Sequence, residues 1–149
     1  MTNTIIFDWK RTLYDPDLDS LIDGATELLS FLKEKNYRLV LIGKGDRLMF
    51  DAVKRLQVES YFLEIIFNAS KSETQFTKFI SQDKPQDTII IGDRVLSELS
   101  IGKKLGTTTI WIKQGKFADE KPNNNQNPDY VVTSLHECLD LFETTLLSI

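Results

Sequence analysis

Two aspartates stand at the ends of apolar runs: Asp8 closes "TIIFD" and Asp93 closes "TIIIGD". Glu98 follows Asp93 by five positions, and Lys71 is the cation of "SKSETQF". If the two runs are neighbouring strands, the two carboxylates face one another across a crevice. Carboxylates so placed suit Mg²⁺, which takes oxygen ligands and keeps waters and substrate phosphate in its shell, so that one or two protein carboxylates suffice. Lys71 would supply charge to a phosphate oxygen, with Thr12 and the backbone N–H groups of Gly43 to Gly45 as further donors. An aspartate at a strand end is also a common helix or turn cap, so the order of these residues carries more weight than any one of them.

The elements that must position them are legible as short β-branched runs: "TIIFDW", "YRLVLIG", "LEIIFN", "DTIIIGD", "TTTIWIK" and "DYVV". Most are apolar throughout, as a strand must be when helices cover both faces of a parallel sheet. Helical patterns alternate with them over Ala25 to Lys35, Asp46 to Leu56, Glu73 to Ile80, Val95 to Leu105 and Leu135 to Leu147. Asp46 and Ser72 are expected caps, and Gly106 an expected stop. The alternation predicts an α/β fold, a Rossmann-like doubly wound parallel sheet of five to six strands with helices on both faces. In such a sheet ligands bind beyond the carboxyl ends of the strands, where Asp8, Gly43, Lys71 and Asp93 all fall.

Composition sets the bounds. A chain of 149 residues, 41% hydrophobic and 27% charged, is read as one globular domain over residues 1–149 with a full core. A net charge of −4 argues against a generally basic nucleic-acid surface, and no apolar run approaches a membrane span or a secretory signal. A soluble, cytoplasmic protein is expected. Cys138 and His136, each the sole residue of its type, are read as structural, since neither has the companions of a zinc or nucleophile site. Trp9 and Trp111 are read as packing residues and Phe117 as a loop anchor, although Phe117 could lie over the site mouth. "DEKPNNNQNPD", from Asp119 to Asp129, reads as a surface loop.

"IIFDWKRTLYD", "LVLIGKG", "SKSETQF" and "IIIGDRVLSELSIGKKLG" together resemble, in order and spacing, the four motifs of the haloacid dehalogenase (HAD) superfamily of phosphohydrolases. The resemblance spans nearly the whole chain. It implies a sheet with the first strand central and the fourth beside it, Asp8 as a nucleophile forming an aspartyl phosphate, and Lys71 shielding the charge. It implies Mg²⁺ held by Asp8, the backbone carbonyl of Lys10 and Asp93, with Glu98 in or near the shell. The two cap insertion points, Leu13 to Glu27 and Lys44 to Lys71, are short, so a member without a cap domain is expected. An open site of that kind suits a large substrate or a neighbouring subunit that closes it.

Three positions depart from the pattern. Lys10 stands where the phosphatases carry the aspartate that protonates the leaving group and then activates water. A lysine, ordinarily titrating near ~10.4, is charged at neutral pH and takes no proton. Losing such help costs on the order of 10²–10⁴ in rate, and the ammonium is a competitor of Mg²⁺ for Asp8. Arg11 replaces the usual glycine. Gly43 offers no hydroxyl where serine or threonine is usual, a loss of roughly 0.5–1.5 kcal/mol unless water or Lys44 compensates. Two readings follow. One is a Mg²⁺-dependent phosphatase with an altered acid/base step, acting on a phosphorylated small molecule or macromolecule. The other is a catalytically silent domain that binds a phosphorylated ligand or a protein partner. A purely structural ion-pair cluster is disfavoured, because buried paired charges add little stability.

Overall fold

The structure is a computed structural model, and it describes residues 3–146. Six parallel strands form the central sheet: β1 (Thr4–Phe7), β4 (Arg38–Lys44), β5 (Glu64–Asn68), β6 (Thr88–Gly92), β7 (Thr108–Ile112) and β8 (Tyr130–Val132). Their order is β5-β4-β1-β6-β7-β8, so the first strand is central and β6 lies beside it, as expected. The six apolar runs are the six strands. A small antiparallel hairpin, β2 (Tyr14–Asp15) with β3 (Ser20–Leu21), occupies what the sequence presented as a plain connection.

Every residue of β1 is buried, because helices cover both faces. Ile5 and Phe7 point into one core with Leu28, Leu29 and Leu32 of α1 (Ala25–Glu34), Ala52 and Val53 of α2 (Arg47–Arg55), and Leu135 and Cys138 of α5 (Leu135–Leu141). Ile6 points the other way, against Phe76 of α3 (Glu73–Thr77) and Leu99 of α4 (Glu98–Lys104). Alternate residues of one strand thus feed two cores, which is the physical content of an apolar run without alternation.

Three helices are shorter than their sequence patterns. α3 stops at Thr77, and Phe79 and Ile80 complete the segment with three-residue turns onto Phe76 and Thr77. α4 starts at Glu98 in place of Val95 because the Glu98 carboxylate accepts the Arg94 N–H at 2.9 Å, drawing the chain into a turn first. α5 ends at Leu141 and passes into a π-helical turn, Phe142–Leu146; Leu147 lies outside the described residues. The caps behave as read. Asp46 accepts the Leu48 N–H at 3.0 Å, Gln75 reaches back to the Ser72 N–H at 3.1 Å, and Gly106 turns with φ +84°.

No helix among the described residues is long and apolar enough to cross a membrane. Between β1 and α1 there is only the hairpin, and between β4 and Lys71 only α2, a short 3₁₀ turn and β5. No cap domain stands over the carboxyl ends of the strands among the described residues.

Candidate active site

Register places the acids. β1 pairs with β6 with Phe7 opposite Ile91, and the Asp8 N–H extends that ladder to the Ile91 carbonyl at 3.0 Å. Asp8 and Asp93 therefore leave adjacent strands at the same level. Glu98, in the first turn of α4, swings back toward them. One carboxylate oxygen from each of the three lies within 4.8 Å of the others, and all three residues are buried. Gly92 makes room for this: a Cβ there would overlap the Glu98 carboxylate.

Lys71 closes the cluster. Its ammonium donates to Asp8 Oδ1 at 2.5 Å and to Glu98 Oε1 at 2.8 Å, with the side chain only 10% exposed. The expected rivalry between Lys10 and Mg²⁺ for Asp8 takes a different form, since the cation against Asp8 is Lys71. Lys10 lines the crevice and forms no ion pair among the described residues. The loop carrying it is folded by one carbonyl: Trp9 O accepts the N–H groups of Thr12, Leu13 and Tyr14 at 3.2, 3.0 and 3.0 Å. Arg11 takes the left-handed conformation there, φ +64°, where a glycine carries less strain.

The expected phosphate donors are only partly open to the crevice. The Thr12 hydroxyl is fully buried and reaches Asp8 Oδ2 at 3.1 Å and Asp93 Oδ1 at 3.3 Å, so it bridges the carboxylates and does not line the crevice. Gly43 is walled off as well. A Cβ on it would stand 2.6 Å from Cε1 of Phe67 and 3.0 Å from Cβ of Trp9, so the Phe67 ring fills the space a serine side chain would enter. The Gly45 N–H is already bonded to the Asn68 carbonyl at 2.9 Å. Lys44 and Gly45 do line the crevice. We expect Gly43→Ser alone to cost about 1–3 kcal/mol by overpacking, and Phe67→Leu in the same chain to recover part of that. Urea unfolding of the single and double variants measures the coupling.

Charge crowding sets the proton inventory. Burial, and then the neighbouring Asp8 and Glu98 carboxylates, push the Asp93 pKa up to about 9. Burial and Asp8 likewise raise Glu98, opposed by Lys71. Burial alone would lower Lys71, but Asp8 and Glu98 outweigh it and hold the ammonium protonated. For Asp93 the folded pKa exceeds the unfolded one, so the folded state binds the extra proton between about 4 and about 9. That stabilisation is complete below the unfolded value and is lost as pH rises toward about 9. Metal-free protein should therefore melt at falling temperature as pH is raised through this window, and Mg²⁺ should flatten the profile; scanning calorimetry with and without chelator tests both.

Contacts that residue spacing does not encode complete the site. The Trp111 indole N–H donates to the Asp93 backbone carbonyl at 3.0 Å, fixing the loop from behind. Arg94 grips Glu120 through Nε and Nη2 at 3.2 and 3.0 Å and lies 4.1 Å from the Phe117 ring centroid. Phe117, read as a loop anchor that could lie over the site mouth, lines the crevice and is held by its neighbours. Glu120 and Asp129, near the two ends of the Asp119 to Asp129 surface loop, are structural: Asp129 accepts the Thr109 N–H at 2.8 Å. No pattern in the sequence announced these contacts. Cys138 is buried and its thiol is pushed by burial up to about 12, while His136 meets Asp23 at 3.0 Å on the surface.

The crevice bounded by these residues has a volume of about 760 Å³. An acidic floor with one buried lysine, at the carboxyl end of a parallel sheet, defines a HAD-type site. The HAD-hydrolase-like family profile matches residues 41–138, and the chain belongs to that family. It is 27% identical over 130 residues to a glyceraldehyde 3-phosphate phosphatase of Pyrococcus furiosus, an alignment covering 82% of this chain and 54% of that protein. The chain spans about half the length of the curated relatives it matches. Among solved structures, a HAD-superfamily hydrolase from Ehrlichia chaffeensis superposes with a TM-score of 0.73 at 15% identity, covering 98% of this chain and 99% of that one. The HAD-type protein YfnB of Bacillus subtilis, solved bound to magnesium, superposes with a TM-score of 0.68 at 25% identity, covering 88% and 57%.

Proposed function

We propose that the protein is a Mg²⁺-dependent phosphatase that works through an aspartyl phosphate at Asp8, with an altered acid/base step. The observation that carries this reading is the buried trio of Asp8, Asp93 and Glu98. Oδ2 of Asp93 is buried with no hydrogen-bond partner, which is costly unless something takes its lone pairs. A hard cation with oxygen ligands fits that vacancy of bonding, and Asp8, Asp93 and the Lys10 backbone carbonyl would hold it with Glu98 beside them. When bound, Mg²⁺ supplies charge neutralisation at the transferring phosphoryl group.

The chain's own residues supply the rest. Asp8, whose Oδ1 is held by Lys71 and Oδ2 by Thr12, is aimed for attack on phosphorus. Lys71 balances charge on Asp8 and the incoming phosphoryl oxygens. Lys10, Arg11 and Lys44 line the crevice and attract the substrate dianion. The substrate is a phosphorylated small molecule or macromolecule, admitted through a mouth without a cap, and the working compartment is the cytoplasm. A silent domain that only binds a phosphorylated ligand or a protein partner is the competing reading, favoured by Lys10 with Arg11 and by the missing hydroxyl at Gly43.

Mg²⁺ titration separates the two. At millimolar metal the melting temperature should rise, because a ligand bound only by the folded state stabilises it, and p-nitrophenyl phosphate should be hydrolysed only in its presence. An unchanged melting temperature would sink the metallo-enzyme reading.

A further inference from the structure

We infer that Asp8, once phosphorylated, keeps its phosphoryl group, so that the protein stores phosphate on this residue instead of passing it promptly to water. The inference rests on the proposed role of Asp8 and on the make-up of the crevice wall. Hydrolysis of an aspartyl phosphate is fast only when a side chain takes a proton from the attacking water. Four carboxylates line the crevice, and each is committed. Asp8 carries the phosphoryl group. Asp93 belongs to the buried acidic trio, and Glu98 is bonded to both the Lys71 ammonium and the Arg94 N–H. Asp46 caps α2 through the Leu48 N–H. No histidine lines the crevice, since His136 lies against Asp23 beside α1.

The remaining ionisable side chains of the wall are cations. An ammonium or guanidinium has no lone pair with which to receive a proton, whereas it holds phosphoryl oxygens well. Lys10, Arg11 and Lys44 have no ion-pair partner among the described residues, so their charge is free for that purpose. The same wall that attracts the phosphoryl group therefore offers no side chain in place to speed its hydrolysis.

The donor class follows. A carboxylate oxygen of Asp8 attacks phosphorus, the bond from phosphorus to the donor oxygen breaks, and the electron pair leaves on that oxygen. An acyl phosphate releases a carboxylate, which is stable without a proton; an alkyl phosphate must expel an alkoxide, which is not. Acyl phosphates are the donors this site handles most readily. Release of the stored group requires water to add to phosphorus, returning the Asp8 carboxylate, inorganic phosphate and one proton.

The test is intact-mass spectrometry of the full chain after incubation with acetyl phosphate and Mg²⁺, followed by removal of the donor. Wild type should gain the mass of one phosphoryl group, lose it to hydroxylamine, and gain nothing as Asp8→Asn or with chelator. Lys10→Asp, which supplies a carboxylate and whose fold is checked by its melting temperature, should lose the group about 10²-fold faster. Wild type that turns donor over in an Asp8-dependent manner without accumulating the adduct, or that loses it as fast as Lys10→Asp, would overturn storage and leave the nucleophile standing. No adduct and no turnover in either protein would overturn both.

Discussion

If Asp8 is the proposed nucleophile, Asp8→Asn should slow hydrolysis of p-nitrophenyl phosphate by about 10³-fold or more while leaving the fold in place. The magnitude follows from the role: an amide oxygen does not attack phosphorus, and losing a nucleophile removes the covalent path entirely. The survival of the fold follows from geometry. Lys71 keeps its 2.8 Å bond to Glu98, Thr12 keeps Asp93 as an acceptor at 3.3 Å, and one of three crowded carboxylates loses its charge. The paired measurement is a steady-state assay and a melting curve on the same preparation. A variant that melts normally and still hydrolyses at the wild-type rate would mean that Asp8 is not the nucleophile.

Lys71→Met should be the most damaging single change to stability. Among the described residues the lysine is the one side-chain cation bonded to the buried acids, and removing one partner of a buried ion pair costs about 3–5 kcal/mol because the other charge is left uncompensated. Two carboxylates are left here, not one. They can lower the cost by taking up protons, so the loss should be smaller at pH 5 than at pH 8, as measured by urea unfolding at each pH. Mg²⁺ should restore part of the stability by replacing the missing charge. Equal destabilisation at both pH values, with no rescue by metal, would mean that Lys71 acts through packing and not through the acids.

Much of the frame was legible because it is dictated by local physics. Apolar runs such as "TIIFD" and "TIIIGD" must be buried on both faces, and burial on both faces in alternation with helices admits few sheets. That the acids at their ends meet was legible too, once the strands were taken as neighbours. The contacts that cross the fold were not legible. Thr12 turning inward to bridge two carboxylates, Trp111 holding the Asp93 carbonyl, and Phe117 clasped by Arg94 depend on residues up to 81 positions apart and on side-chain directions that no spacing encodes. Lys10 was singled out as a rival of Mg²⁺ for Asp8, but the ammonium bonded to Asp8 is that of Lys71, which the resemblance had already placed there. The small hairpin of Tyr14–Asp15 and Ser20–Leu21 escaped notice because two-residue strands carry no periodicity to detect.

The packing of Phe67 against Gly43 ties the two positions together. A side chain at position 43 has no room while an aromatic ring occupies its volume, and the ring cannot shrink without leaving a void beside the buried Trp9, whose ring centroid lies 6.4 Å from its own. Each single change is thus expected to be less stable than the pair made together, so a hydroxyl at this strand end can be rebuilt only by redesigning positions 43 and 67 as a unit.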